Sequence, residues 1–200
     1  GSASGAVIKL QTSETTVVDG DYLGRIEFSA PLEASGTDAI LTGAQIHAEA
    51  DDTFGVANNE TELVFSTASS DAELGSATSG ALYERMRITS SGNVGIGVAS
   101  PSALLHTQAT AAGGEVEALR LENFDQTTST DETVALHFYH QGIGAAKIVA
   151  GKDGSYAGST VRKGNLQFHT HTADNAYAER MRITSAGNVC IGGTTDDGYS

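Results

Sequence analysis

The sequence contains no tryptophan, one cysteine and two prolines in 200 residues. A single cysteine, Cys190, excludes an intrachain disulfide framework. The lack of tryptophan removes the side chain with the best surface for stacking against sugars, which disfavours an enzyme that cleaves polysaccharides. With so few prolines, long stretches of the chain are free to form regular strands.

Basic residues and large apolar residues are also scarce. Eleven lysines and arginines oppose 25 acidic residues, and the formal net charge of −14 disfavours nucleic acid as a partner. No apolar run approaches the ~20 residues that span a bilayer, and the N-terminus lacks the pattern of a signal peptide, so we expect no membrane insertion. Leu, Ile, Val and Phe make up 41 of 200 residues, close to the ~20% level below which a highly charged chain is often disordered. We therefore expect a lone chain to have a thin core.

Glycine is abundant, with 24 residues, and one glycine-containing string occurs twice. Residues 84–97 read ERMRITSSGNVGIG, and residues 179–192 read ERMRITSAGNVCIG. The two copies differ only in that Ala186 replaces the second serine and Cys190 replaces a glycine, Gly95. Such close repetition indicates a duplicated structural unit.

Shorter matches precede both copies in the same order. The matched segments are 6–11 with 117–122, 24–28 with 135–138, 43–50 with 145–151, and 62–67 with 165–170. The sequence therefore predicts two tandem repeats, residues 1–97 and 117–200, joined by a connector at 98–116.

The matched segments alternate apolar and polar residues with period two, which is typical of half-buried strands. In the ERMRIT string this alternation predicts two faces, one with Glu84, Met86 and Ile88 and the other with Arg85, Arg87 and Thr89. A turn at residues 90–93 then predicts a hairpin. We expect six short strands per repeat and an essentially all-β fold.

Two features of these strands predict close neighbours. Gly95 and Gly97 share a strand face, which indicates that another backbone passes nearby. Six strands with few large apolar residues are poorly placed to close a dry core alone, so we expect burial against identical chains. The composition supports an oligomer, and we expect a parallel homotrimer.

The string and its flanks resemble a known family. Residues 84–106, ERMRITSSGNVGIGVASPSALLH, closely resemble a motif of phage tail-fibre and related virion structural proteins, where it often precedes a self-cleaving intramolecular chaperone domain. Residues 15–31, TTVVDGDYLGRIEFSAP, are similar to the same group. The second copy departs from the motif, because it continues GGTTDDGYS.

The resemblance implies an elongated, intertwined homotrimeric β fibre, like a β-prism or triple β-helix, on the extracellular outside of a virion. It implies a non-enzymatic structural segment, shaft or distal, with other virion fibre or tail proteins as partners and the host cell surface as a further candidate. Two alternatives stay open. One is a receptor-binding module for a host surface glycan or protein, acting through predicted loops at 29–42, 51–61, 68–81 and 151–164. The other is a bacterial surface adhesin of similar repeat design.

His169-Thr170-His171 is the sharpest candidate for metal chemistry. Two residues apart on a strand, both imidazoles point to one side, and a threefold axis would bring six together for octahedral coordination of a transition metal. The first copy has Ser66-Thr67-Ala68 at the matching place. The alternative is a pair of solvated histidines on an outer strand face.

No other cofactor and no catalytic residue is expected. The glycines of residues 92–97 have the reverse spacing of a dinucleotide fingerprint, and acidic pairs such as Asp51-Asp52 are explained as turn residues. We interpret Arg85 and Arg87, with Arg180 and Arg182, as structural residues that pair with carboxylates such as Glu27 or Glu49 on neighbouring strands or chains. Cys190 is expected to be a small buried residue.

Overall fold

The computed structural model describes residues 5–29, 42–68, 82–124, 132–153, 163–172 and 176–192. It divides the chain into two compact units, Gly1–Leu119 and Arg120–Ser200. All the regular structure in these residues is β-strand, which confirms the all-β prediction. Within the same residues no helix is long and apolar enough to cross a membrane. Most of the loops predicted at 29–42, 68–81 and 151–164 lies outside the described residues.

The first unit contains one sheet of six strands in sequential order. The strands are β1 (Tyr22–Ser29), β2 (Thr42–Ala50), β3 (Thr61–Ala68), β4 (Leu82–Ile88), β5 (Val94–Ile96) and β6 (Leu105–Thr107). Neighbouring strands are antiparallel except β5 and β6, which are parallel. The residues expected to connect the repeats therefore contribute a strand, β6, to the first sheet.

The second unit contains one antiparallel sheet of five strands, again in sequential order. The strands are β7 (Thr133–His140), β8 (Ile143–Lys152), β9 (Gly164–His171), β10 (Tyr177–Ile183) and β11 (Val189–Ile191). Its β7 to β11 correspond in order and length to β1 to β5.

Two predicted strands are absent from the sheets. Residues 6–11 and 117–122 alternate in polarity, but neither segment is in a strand. Val7 and Ile8 are 81% and 90% exposed, and Leu119 is 65% exposed. The prediction was wrong for the single chain because alternation sets the faces of a strand without supplying the neighbour that its backbone groups must bind.

The repeated string forms the predicted hairpin in both units. Met86 pairs with Ile96 across β4 and β5, and the Thr89 amide donates to the Asn93 carbonyl at 2.9 Å to close the turn. Gly92 in this turn has a φ of +85°, which favours glycine. In the second copy Met181 pairs with Ile191 and Gly187 has a φ of +89°.

A β-bulge in β4 changes which of its side chains share a face. The register runs from the Ser66–Glu84 pair directly to the Phe65–Met86 pair, so Arg85 has no opposite residue on β3. The extra residue shifts the alternation by one position. Glu84 therefore lies on the face opposite Met86.

The same bulge occurs in the second copy, at Arg180, between the pairs that Glu179 and Met181 make with β9. The prediction that Glu84 and Met86 share a face, with Arg85 and Arg87 on the other, was wrong because the string contains this bulge. Simple alternation does not reveal an inserted residue.

Each sheet has one face, called here the apolar face, that an unbroken row of apolar residues crosses from strand to strand. The row is Ile26–Ile46–Phe65–Met86–Ile96 in the first sheet and Leu136–Ile148–Phe168–Met181–Ile191 in the second. The opposite side, called the polar face, carries most of the charged and amide side chains. In the described part of the chain the buried apolar residues are only Ala50, Val64 and Val149, so neither sheet has a substantial core of its own.

Candidate functional site

The apolar faces are open in the single chain. Ile26 and Phe28 of the first sheet are 50% and 55% exposed, and Leu136 and Ile191 of the second are 44% and 80% exposed. Soluble monomers expose apolar residues singly, whereas a contiguous apolar patch marks an interaction surface. Each apolar face is therefore a candidate assembly surface.

Gly95 lies on the polar face, where the chain crosses the sheet edge between β5 and β6. A Cβ at this position would overlap the Val98 carbonyl oxygen and lie 3.5 Å from Pro101 Cγ. The predicted close backbone approach at Gly95 is confirmed. Cys190, in the matching place of the second copy, pairs with Arg182 and is half-buried rather than buried as predicted.

Arg87 is the centre of an ion-pair network on the first polar face. Its guanidinium pairs with Glu62, and Nη2 lies 2.6 Å from Glu84 Oε2 and 3.3 Å from Glu49 Oε1. The predicted pairing with Glu49 is confirmed. Burial first, and then the negative charge of the neighbouring Glu49, raise the pKa of Glu84.

Arg182 has a simpler partner set on the second polar face. Its Nε and Nη2 donate to the two oxygens of Glu179 at 2.8 and 2.7 Å. Gly151 and Asn165 stand where the first unit has its two further glutamates. The hydrogen bonds from Arg182 lower the pKa of Glu179 and, in return, raise the pKa of Arg182.

The bulged arginines reach the other side of each sheet. Arg85 Nε donates to Thr67 Oγ1 at 2.9 Å, and Arg180 Nε donates to Thr170 Oγ1 at 2.8 Å. Each threonine lies on the apolar face, two residues along its strand from the phenylalanine of the apolar row. The predicted pairing with carboxylates therefore holds for Arg87 and Arg182. It was wrong for Arg85 and Arg180, because the bulge places them on the other face, where threonines are their partners.

A chain of hydrogen bonds runs along β9 on the second polar face. His169 Nε2 donates to Gln167 Oε1 at 2.9 Å, and Gln167 Nε2 donates to Asn165 Oδ1 at 2.7 Å. Asn165 in turn donates to Asp153. Since the glutamine oxygen can only accept, His169 carries its proton on Nε2 and its Nδ1 is the unprotonated nitrogen.

The two ends of this hydrogen-bonded series, Asp153 and His169, both have shifted pKa values. Burial alone would raise the pKa of Asp153, but hydrogen bonds from Asn165 and Ser185, with the charge of Arg182, lower it overall. At the other end, burial and the charge of Lys147 lower the pKa of His169. The carboxylate therefore stays ionised and the imidazole stays neutral near neutral pH.

His169 and His171 lie on one face, as predicted, and that face is the polar one. The Nδ1 atom of His169 is buried and accepts no hydrogen bond from any described residue. No three His, Cys, Asp or Glu side chains converge into a metal-binding group within the ranges that the structure describes. The transition-metal site at the threefold axis stays a prediction.

Tyr177 is the centre of a cluster that the sequence did not predict. Its ring lies on the polar face with Lys147 Nζ 5.0 Å from the ring centroid. His137 and His171 approach edge-on, with centroids at 5.5 and 5.4 Å and interplanar angles of 90° and 85°. The residues come from four strands, so no local sequence pattern contains them.

Gly144 and Tyr139 complete this cluster. A Cβ at Gly144 would overlap the Tyr177 hydroxyl, so the glycine makes room for it. Tyr139 stacks beside His137 with centroids 6.2 Å apart and is 59% exposed. Burial, and then the neighbouring Tyr139, raise the pKa of Tyr177. Comparing the two repeats position by position would have revealed the cluster, because its residues differ in type from those at the matching positions of the first repeat.

Comparison with known proteins gives structural neighbours only. No family model matches the chain, and no curated protein matches it. Among solved structures it is similar to the carboxy-terminal domain of the bacteriophage T5 L-shaped tail fibre, at 13% identity and a TM-score of 0.41, over 100% of this chain and 90% of that one. It is equally similar to that domain with its intramolecular chaperone domain, of which it covers 62%, less than two thirds of the length.

Proposed function

We propose that this chain is a non-enzymatic structural segment, shaft or distal, of a homotrimeric phage tail fibre or virion fibre. The exposed apolar row on each sheet carries the proposal. Packing these faces from three chains against one another would remove them from water, at about 25 cal/mol per Å² of apolar surface. The core that a single chain lacks is thus shared among chains.

The segments that failed to form strands support the same assembly. Residues 6–11 and 117–122 occupy equivalent places in the two repeats and carry exposed apolar residues at Ile8 and Leu119. The first strand of each unit, β1 or β7, is an edge strand with one side unpaired by any described strand. Pairing of such segments with a neighbouring chain would satisfy their backbone groups and cover exposed edges.

Charge and sequence resemblance direct the proposal toward an external fibre. Three chains would carry 3 × 14 = 42 formal negative charges, which keep neighbouring rods apart in solution. The resemblance of residues 84–106 to phage tail-fibre motifs is the reason for choosing a virion over another surface.

The metal prediction competes with the shared apolar core. His169 and His171 lie on the polar face. Phe168, which precedes them, and Thr170, which lies between them, point to the apolar face. If the apolar faces meet at the axis, the histidines lie outside and six imidazoles cannot converge. Elemental analysis of protein purified without a nickel column would separate the two: one metal per three chains places the polar face at the axis.

The native mass tests the proposal directly. Light scattering at micromolar concentration should give three times the 20.5 kDa of the chain. A stable folded monomer would defeat the shared core and leave a monomeric binding module as the better function. Any other fixed number of chains would retain the shared core and overturn the threefold arrangement.

A receptor-binding module is the second candidate, because the two repeats differ mainly on their polar faces. Binding of the purified chain to host cells would support it, and a pure shaft would show none.

A further inference from the structure

The two units keep the same apolar row but differ at one end of the polar face. Six positions there read Glu27, Ser29, Gln45, Ser66, Ala68 and Leu82 in the first unit, and His137, Tyr139, Lys147, His169, His171 and Tyr177 in the second. The register pairs place each set one or three residues from matching members of the apolar row, or at the start of the ERMRIT strand. The first unit shows that the scaffold does not need the aromatic and basic residues.

From this difference we propose that the Tyr177 cluster of the second unit is a binding site for an acidic saccharide, a sugar chain bearing carboxylate or sulfate groups at intervals. The inference goes beyond the shaft role. It requires no particular number of chains, because all six side chains belong to one unit of one chain.

The charge of the cluster favours an anionic group. At the six positions the first unit has one formal charge, the carboxylate of Glu27, which pairs with Arg25 at 2.8 Å. The second unit has the ammonium of Lys147, and three imidazoles that add ring N–H groups rather than formal charge, His169 already donating to Gln167. In a chain of net charge −14, this local reversal of sign provides charge-assisted hydrogen bonds for a carboxylate or sulfate.

The ring arrangement favours a sugar beside that charge. Tyr139 is 59% exposed and nearly parallel to His137, with an interplanar angle of 23°. An exposed ring offers an apolar surface for the C–H face of a pyranose, and its hydroxyl offers a hydrogen bond. Tyr177 differs, because Lys147 covers its ring, so it orients the ammonium and Tyr139 makes the stacking contact.

The same charges argue against nucleic acid as the occupant. One permanent cation cannot offset a phosphate on every nucleotide while the whole chain is strongly acidic. An acidic polysaccharide with one charge per disaccharide places fewer anions near the protein.

Gly144 provides a variant that disturbs the cluster without changing its chemistry. In Gly144→Ala the new methyl group occupies the place of the Tyr177 hydroxyl, so the ring must move away from Lys147 and the histidines. Gly43→Ala is the matched control, because its Cβ would meet only the Phe28 carbonyl oxygen at 3.6 Å, an ordinary contact.

The test is a titration of the intact chain with hyaluronan fragments, followed by NMR of the His and Tyr ring signals at low salt. We expect saturable shifts at His137, Tyr139 and His171 that weaken as salt rises. Lys147→Gln and Tyr139→Ser, which restore the first-unit residues, should each weaken binding about ten-fold. Gly144→Ala should weaken it too, and Gly43→Ala should not.

Neutral dextran and a single-stranded oligonucleotide complete the design. Absence of shifts with hyaluronan would overturn the proposal. So would equal binding of dextran, which lacks the anion, or tighter binding of the oligonucleotide at the same residues. The native mass is measured separately, so a monomer that binds hyaluronan would refute the fibre and leave this site standing.

Discussion

Glu84 and Glu179 occupy the same position of the repeated string, and their pKa values are shifted in opposite directions. The sequence predicted that the string's arginines pair with carboxylates, which is correct for Arg87 and Arg182 and wrong for Arg85 and Arg180, whose partners are threonines. It did not predict which carboxylates share a guanidinium, because the bulge that brings Glu84 beside Arg87 leaves no mark in the alternation.

The two glutamates should titrate on opposite sides of their ordinary value of 4.5. Glu84 has a raised folded pKa, so its contribution to stability is fully present below 4.5 and is lost as pH rises through the folded pKa. Glu179 has a lowered folded pKa, so its contribution is present above 4.5 and is lost as pH falls through the folded pKa. Carboxyl carbon NMR against pH measures both values in one sample.

Glu49→Gln tests the cause of the raised pKa of Glu84. It removes a negative neighbour of Glu84 and should lower that pKa while leaving Glu179 unchanged. If the pKa values of both glutamates changed together, or neither changed, the negative charge of Glu49 would not contribute to the raised pKa of Glu84. Glu179→Gln should also destabilise the second unit by roughly 1–2 kcal/mol, because it removes the charged partner of a half-buried Arg182.

At the scale of elements, the existence of the hairpin and its turn were predictable, because alternation and the Gly-Asn turn act locally. The faces of its first strand were not, because of the bulge. The strand at 105–107 was not, because its pairing with β5 depends on a crossing of the chain over Gly95. Segments 6–11 and 117–122 show the opposite error, a strand predicted where none forms. Their pattern is that of a strand, but a strand exists only where another strand is present to pair with it.

The Gly95 and Cys190 positions should respond unequally to exchange. Gly95→Cys introduces a side chain where the Val98 carbonyl lies, and we expect a loss of roughly 1–3 kcal/mol in unfolding free energy, as for other overpacked sites. Cys190→Gly should cost about 1 kcal/mol or less, the usual penalty of glycine in a strand. Urea denaturation under reducing conditions measures both. Equal costs would mean that the crossing at residues 98–101 does not determine the choice of glycine.

At the scale of the whole molecule, composition predicted a thin core, and the three buried apolar residues in the described part of the chain agree with it. The number of chains that share a core depends on surfaces of several copies, which one sequence does not define. The most direct test of a shared core is therefore to substitute one exposed apolar residue on the apolar face and one elsewhere.

Ile191→Glu and Val56→Glu form a matched pair. Ile191 is 80% exposed in the single chain and ends the apolar row, whereas Val56 is fully exposed in the turn between β2 and β3. A glutamate at either place is harmless to an isolated unit. In the assembly only Ile191→Glu buries a charge against apolar neighbours, so it should reduce the native mass to that of one chain while Val56→Glu leaves it unchanged. Equal masses for the two variants would show that the apolar face is not the interface.

In the fibre that we propose, the bulge in each ERMRIT strand would affect how neighbouring chains align. Strict alternation would put Arg85 and Arg87 side by side, whereas the extra residue sends one guanidinium to each face of the sheet. Arg85 and Arg180, each hydrogen-bonded to a threonine, Thr67 or Thr170, thus place a positive charge just beyond the apolar row. A neighbouring sheet that slipped by one residue pair, about 7 Å, would bring its own isoleucines against a guanidinium. In the fibre that we propose, the two bulges that separate the arginines would therefore set the axial position at which identical chains pack together.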